Sequence, residues 1–240
     1  MGFTLVEFAV AIALSILIMG GAAAILRYTV VQTGANTDRT IAQLQAQYVN
    51  FWISQDVVQA GNITLGNSSS GFPLTMTRTG LDGGNSTVTY DVVNNTNLSK
   101  NPWQLTRTEV NGQGNVTSLV AEYVVPWGGS WLTGISYNVN DRVSDNGSSY
   151  VCIAAHTSSS SNEPGAGASW TTYWKVQQGT KACQGNTTYN VLMLEVAAQV
   201  DQGEADRKYQ ISPRLGNATI WENPYPCYCA ETEQGAGSGQ

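Results

Sequence analysis

Charge is scarce in this chain. Only 12% of its 240 residues are Asp, Glu, Lys or Arg, against about 25% in an average soluble domain, and Ser, Thr, Asn and Gly fill the gap. Eleven Lys plus Arg against seventeen Asp plus Glu leave a net charge of -6. That balance excludes a nucleic-acid surface built on phosphate neutralisation. Histidine occurs once, as His156 in the polar stretch "AHTSSSS", where a solvated loop position is expected. The chain has no G-x-S-x-G elbow, H-E-x-x-H pair or P-loop. A protein that is not an enzyme, with no cofactor, is expected.

Cysteine is also sparse. Cys152, Cys183, Cys227 and Cys229 are candidate disulfide partners with three pairings open. The "CYC" pair lacks the second pair or the nearby histidines of a zinc site, so no metal is expected. In "DQGEADR", Asp201, Glu204 and Asp206 offer oxygen atoms, but the spacing is not that of an EF-hand. A turn between two strands is the expectation there.

Apolar residues, by contrast, are concentrated at the start, in "MGFTLVEFAVAIALSILIMGGAAAILRY". A run this long is sufficient to cross a bilayer. A secretory signal peptide would need a basic leader and a shorter core ending at a small-residue cleavage site. Beyond Arg27 the pattern continues as an amphipathic helix with Ile41, Leu44, Tyr48, Phe51, Trp52 and Val58 as its stripe. Gly61 and Asn62 mark its end. One long helix is therefore expected over residues 1–61, lipid-compatible over 3–26. Within residues 3–26 the only ionisable side chain is Glu7, and a carboxylate in hydrocarbon costs about 2.5–3.5 kcal/mol unless it finds a partner.

"GFTLVE" ahead of some twenty apolar residues resembles the N-terminus of type IV pilins and of the pseudopilins of type II secretion. The resemblance implies cleavage after Gly2 by a prepilin peptidase and N-methylation of Phe3. It also implies pairing of Glu7 with a neighbouring subunit's amine during filament assembly. The leader here is shorter than the family's, and the helix-bending proline found in the family is missing. Gly20 and Gly21 sit where filament helices of that family lose regular hydrogen bonding. Two glycines cost about 2 kcal/mol of helix propensity relative to alanine.

From Asn62 onward the period switches to two. Residues 87–92 place Val88, Tyr90 and Val92 on one side, and residues 190–200 place Leu192, Leu194, Val196, Ala198 and Val200 on one face. Shorter strands are expected over 74–77, 103–107, 118–125 and 208–215, between Gly- and Asn-rich turns such as "LDGGNS". An antiparallel sheet over 62–125 and 179–226, packed on the long helix, gives an α+β class. It is also the pilin-like fold, most similar to the larger minor pilins and pseudopilins. Residues 227–240 read as a flexible tail.

Residues 126–178 differ in texture, being dense in aromatics and turns. They resemble the small chitin-binding modules of carbohydrate-binding families 5 and 12, through Trp131, Tyr137, Asp141, Val143, Tyr150, Pro164, Trp170 and Trp174. Sugars stack on flat aromatic rings, so Trp131, Tyr137, Tyr150, Trp170 and Trp174 are candidate binding residues. Residues 153–158, "IAAHTS", stand where binding members commonly place exposed aromatics. The insert is thus either a structural spacer or a working polysaccharide site.

N-x-S/T triplets at Asn62, Asn67, Asn85, Asn94, Asn97, Asn115, Asn146, Asn186 and Asn217 are candidate glycan acceptors. An Asn- and Ser-rich surface also generates such triplets by chance. The resemblances together imply a filament subunit held in the inner membrane before assembly and displayed outside the cell afterwards. Its partners would be its own copies, the peptidase and a polysaccharide. The alternatives are a minor-pilin adhesin that binds chitin and a secretion pseudopilin.

Overall fold

A computed structural model describes residues 4–66, 70–79, 84–95, 103–184, 191–201, 203–212 and 219–221. The first element is a single helix, α1 (Leu5–Gln59), capped by Thr4. The Glu7 backbone N–H donates to Thr4 Oγ1, and the Thr4 N–H and hydroxyl both donate to Glu7 Oε2 at 2.9 Å. This reciprocal box satisfies amides that a helix start otherwise leaves unpaired. The helix is continuous through Gly20 and Gly21. Its N-terminal part is apolar and is not buried by any other described residue, and α1 is the one helix among the described residues long and apolar enough to cross a membrane. Gly2 and Phe3 lie outside the described residues.

The head begins with β1 (Asn62–Leu65), β2 (Leu74–Thr79), β3 (Asn85–Asn94), β4 (Trp103–Asn111) and β5 (Gly114–Ala121), an antiparallel meander. After an inserted segment come β12 (Lys181–Gln184), β13 (Leu192–Val200) and β14 (Gly203–Ile211), which form a three-stranded antiparallel sheet. Last, β15 (Thr219–Trp221) returns to lie parallel to β1, so the six-stranded sheet runs β15-β1-β2-β3-β4-β5 and is mixed at that edge. The two sheets meet where Val124 bridges Ala198. The architecture is α+β, as expected. The sequence-based strand over 118–125 lies instead over Gly114–Ala121, and that over 208–215 lies over Gly203–Ile211. Of the acidic stretch only Asp201 stands in the turn between β13 and β14, whose register closes at Val200 and Gly203; Glu204 and Asp206 lie on β14 itself, paired opposite Gln199 and Ala197.

The helix face that enters the core differs from expectation. Ala42, Ala46, Val49, Ile53 and Val57 are buried, whereas Leu44, Tyr48, Phe51, Trp52 and Val58 face outward. Only Ile41 of the expected stripe packs inward, and then partly. Small side chains let the helix come close to the sheet, so Ala42 packs with Ala198, Val200 and Ala205. Further along, Val49, Ile53 and Val57 share one core with Leu74, Met76, Val88, Tyr90 and Leu105 of the large sheet and Leu192, Leu194 and Val196 of the small one. Each fully buried aliphatic side chain contributes about 1.5–3 kcal/mol.

A buried carboxylate interrupts that core. Asp56 on α1 accepts from Tyr90 Oη at 2.5 Å, from Arg107 Nε at 2.7 Å and from Arg78 at 3.2 Å. Glu109 completes the cluster, bonded to Arg107 at 3.0 Å and paired with Arg78. Burial, reinforced by the Asp56 hydrogen bond, pushes the Tyr90 hydroxyl well above its ordinary value. The hydrogen bond to Asp56 raises Arg107 in turn. Burial would raise Glu109, but the hydrogen bonds from Arg78 and Arg107 outweigh it and hold the carboxyl below its ordinary range.

Candidate functional site

The inserted segment folds around its own core. It comprises β6 (Gly129–Ser130), β7 (Ser136–Tyr137), β8 (Arg142–Asp145), β9 (Ser148–Cys152), β10 (His156–Thr157), a 3-10 turn (Ser160–Asn162), the one-turn helix α2 (Trp170–Tyr173) and β11 (Trp174–Val176). Four strands run β11-β9-β8-β6, and β7 pairs with β10. The β8–β9 hairpin turns on Asn146 and Gly147, both at positive φ, where Asn-Gly is the favoured pair for a two-residue loop.

Val143, Tyr150, Cys152 and Trp174 are buried together, flanked by partly buried Trp131, Tyr137, Trp170 and Tyr173. Trp174 is 1% exposed, and its indole N–H donates to the Asn162 carbonyl at 2.9 Å. Asn162 in turn donates to the Thr157 carbonyl and accepts from the Ser159 amide. One tryptophan therefore ties β11 to the loops that close the module. Tyr137 crosses the Trp174 ring edge-on at 5.1 Å between centroids, and its hydroxyl accepts from the Leu132 amide at 3.1 Å. Tyr150 meets Trp170 edge-on at 5.8 Å.

Two expectations fail here. His156 is not a solvated loop residue, because its ring lies 4.4 Å from that of Tyr173 and 5.0 Å from that of Trp174. Its Nδ1 lies 2.8 Å from the Ala154 carbonyl. Cys152 is a free, buried thiol rather than a disulfide half. It donates to the Ala154 carbonyl at 3.2 Å, with His156 Nδ1 at 3.7 Å. Burial pushes this thiol up, with a backbone hydrogen bond at Ala154 acting against it and the Asp141 charge adding to it. The protonated form is thereby favoured, which makes the thiol a poor nucleophile. Cys183 is disulfide-bonded; Cys227 and Cys229 lie outside the described residues.

Of the five candidate stacking residues, Trp174 and Tyr150 are buried, which removes them from any sugar-facing surface. Trp131, Tyr137 and Trp170 keep part of their rings accessible. Tyr173, which is not among the five sequence-based candidates, is likewise only partly buried and joins them. It stands three residues after Trp170 on one helical turn, and i, i+3 positions share a face. Its carbonyl accepts from the Ile153 amide at 2.8 Å, and Ile153 is exposed. Among the described residues no three His, Cys, Asp or Glu side chains converge to hold a metal.

The candidate glycan acceptors Asn85, Asn94, Asn115 and Asn146 are exposed and Asn62 is half-buried; Asn67, Asn97, Asn186 and Asn217 lie outside the described residues.

Residues 130–175 match the family model of carbohydrate-binding module family 5/12. No curated protein and no solved structure matches the chain.

Proposed function

We propose that this protein presents a polysaccharide-binding module on a helix-anchored head. The match of residues 130–175 to a carbohydrate-binding family carries the proposal. Support comes from the half-exposed rings of Trp170 and Tyr173 on α2. Chitin is the ligand the resemblance favours, and the role requires binding rather than catalysis.

The test is retention of the full chain, held in detergent micelles, on insoluble chitin. Trp170→Ala and Tyr173→Ala should each weaken retention about tenfold, corresponding to about 1.4 kcal/mol from a ring that no longer stacks. Retention unchanged in both variants would exclude α2 as the binding face. No retention of the unmodified chain on chitin, cellulose or other insoluble glycans would sink the polysaccharide reading itself.

A second reading concerns the carrier and rests on the uncovered apolar helix with Glu7 near its start. On this reading the protein is a subunit of a type IV pilin-like filament, or a pseudopilin. A prepilin peptidase would process it in the inner membrane, and the helices of its copies would bundle in the filament centre, outside the cell. Glu7→Ala should then still insert into the membrane but give few filaments in electron micrographs of sheared material. A normal filament yield would count against any assembly role for the carboxylate.

A further inference from the structure

We infer that Arg142, Gln177 and Gln199 form a latch that locks the inserted module onto the three-stranded sheet, so that module and head move as one body. Arg142 on β8 donates to Gln177 Oε1 at 2.8 Å, and Gln177 Nε2 donates to Gln199 Oε1 on β13 at 2.7 Å. Gln177 is buried, and its own amide donates to the Ser149 carbonyl of β9 at 3.0 Å. A short chain of polar contacts therefore runs from two module strands, through the exit connection, into the head. Burial pulls the Arg142 guanidinium down from its ordinary value, and the carboxylate of Glu204 on β14 acts against that.

The two connections are themselves fastened. The Thr180 amide donates to the Val125 carbonyl at 2.7 Å, and the Val125 amide donates to the Ala197 carbonyl at 2.8 Å. The buried Thr180 hydroxyl lies 3.1 Å from both the carbonyl and the amide of Ala197. Lys181 places its ammonium 3.9 Å from the centre of the Trp127 ring while pairing with Glu195 at 3.6 Å. Backbones approach so closely that a Cβ at Gly179 would meet the Pro126 carbonyl at 2.7 Å, and one at Gly128 would meet the Val143 amide at 2.4 Å. Flexible tethers look different, being long, solvated and rich in Gly and Ser. Domains joined through small polar interfaces ordinarily move relative to one another. Here each connection is a few residues long and pinned at both ends.

Hydrogen exchange of the full chain in detergent micelles tests the latch. In the unmodified protein, the amides of Val125, Gln177 and Thr180 should exchange as slowly as those of β9. Arg142→Ala should speed Gln177 and Thr180 about tenfold, the loss expected when a buried hydrogen bond to a charged group is removed, and leave β9 and β13 protected. Should Arg142→Ala also expose β9, Gln199→Ala decides, because it lies outside the module: faster exchange at Gln177 alone supports the latch, and an unchanged rate overturns it. Fast exchange of these three amides in the unmodified protein would also overturn it. Retention on chitin is a separate readout, so a latch without sugar binding and sugar binding without a latch are distinguishable.

Discussion

Asp56→Ala is expected to lower the melting temperature by about 6–20 °C. Truncating the carboxylate leaves the Tyr90 hydroxyl without its acceptor and leaves Arg78 and Arg107 with Glu109 as their common anion. Removing one partner from a buried ionic cluster costs about 3–5 kcal/mol, because the remaining charges stay buried and underpaired. For a chain of this size each kcal/mol moves the midpoint by about 2–4 °C. Asp56→Asn keeps an acceptor for Tyr90 but not the charge, so its loss should be smaller. The measurement is a thermal melt of the full chain followed by near-ultraviolet circular dichroism. A shift below about 2 °C would mean that the cluster adds nothing to the hold between helix and sheet. The pH dependence has a definite sign: Glu109 is held below its ordinary range, so its contribution is present at neutral pH and is lost as pH falls through that lowered value.

Trp174→Ala should unfold the inserted module and leave the head standing. A buried Trp→Ala change costs about 3–5 kcal/mol, and a segment of this size has little stability in reserve. The lost indole also leaves the Asn162 carbonyl without its 2.9 Å donor. Limited proteolysis should then cut within 130–175 while α1 and the three-stranded sheet stay resistant, and chitin retention should fall to background. Trp174→Phe refills most of the volume without the N–H and should cost less. Full chitin retention by Trp174→Ala would show that this core is not needed to shape the binding surface.

Much of this was legible in the residues, and the failures share physical causes. The long helix and the faces of β3 and β13 followed from period alone, since Val88 and Tyr90, and Leu192 through Val200 at alternate positions, are indeed buried. The inner face of α1 is not the stripe of large side chains that the sequence offers but one of small and medium ones. Leu44, Tyr48, Phe51 and Trp52 look like core, yet the sheet lies close enough that Ala42 and Ala46 are what fits. Asp56 could have been found, being the only charged residue from 40 to 59; a lone charge in such a stretch asks for a partner. Its partners could not, because Arg78 and Arg107 come from strands 22 and 51 residues away. In the module, spacing located the aromatics but not their burial. Trp170 and Trp174 flank one helical turn, and which of them points inward depends on where β11 pairs with β9. Only the even number of cysteines marks Cys152 as a disulfide half; nothing in its local sequence does.

The hydrogen bond between Val125 and Thr180 also bears on how such a chain could arise and be altered. These residues are neighbours across the base of the insert, so the polypeptide enters and leaves the module through a single gap one hydrogen bond wide. A tight turn would span that gap. The head could therefore close without residues 127–179, and in their place it could host another small domain whose ends lie equally close. On this view the sheet is a socket and the module a cartridge, exchangeable in evolution or by design while the helix and its core stay the same.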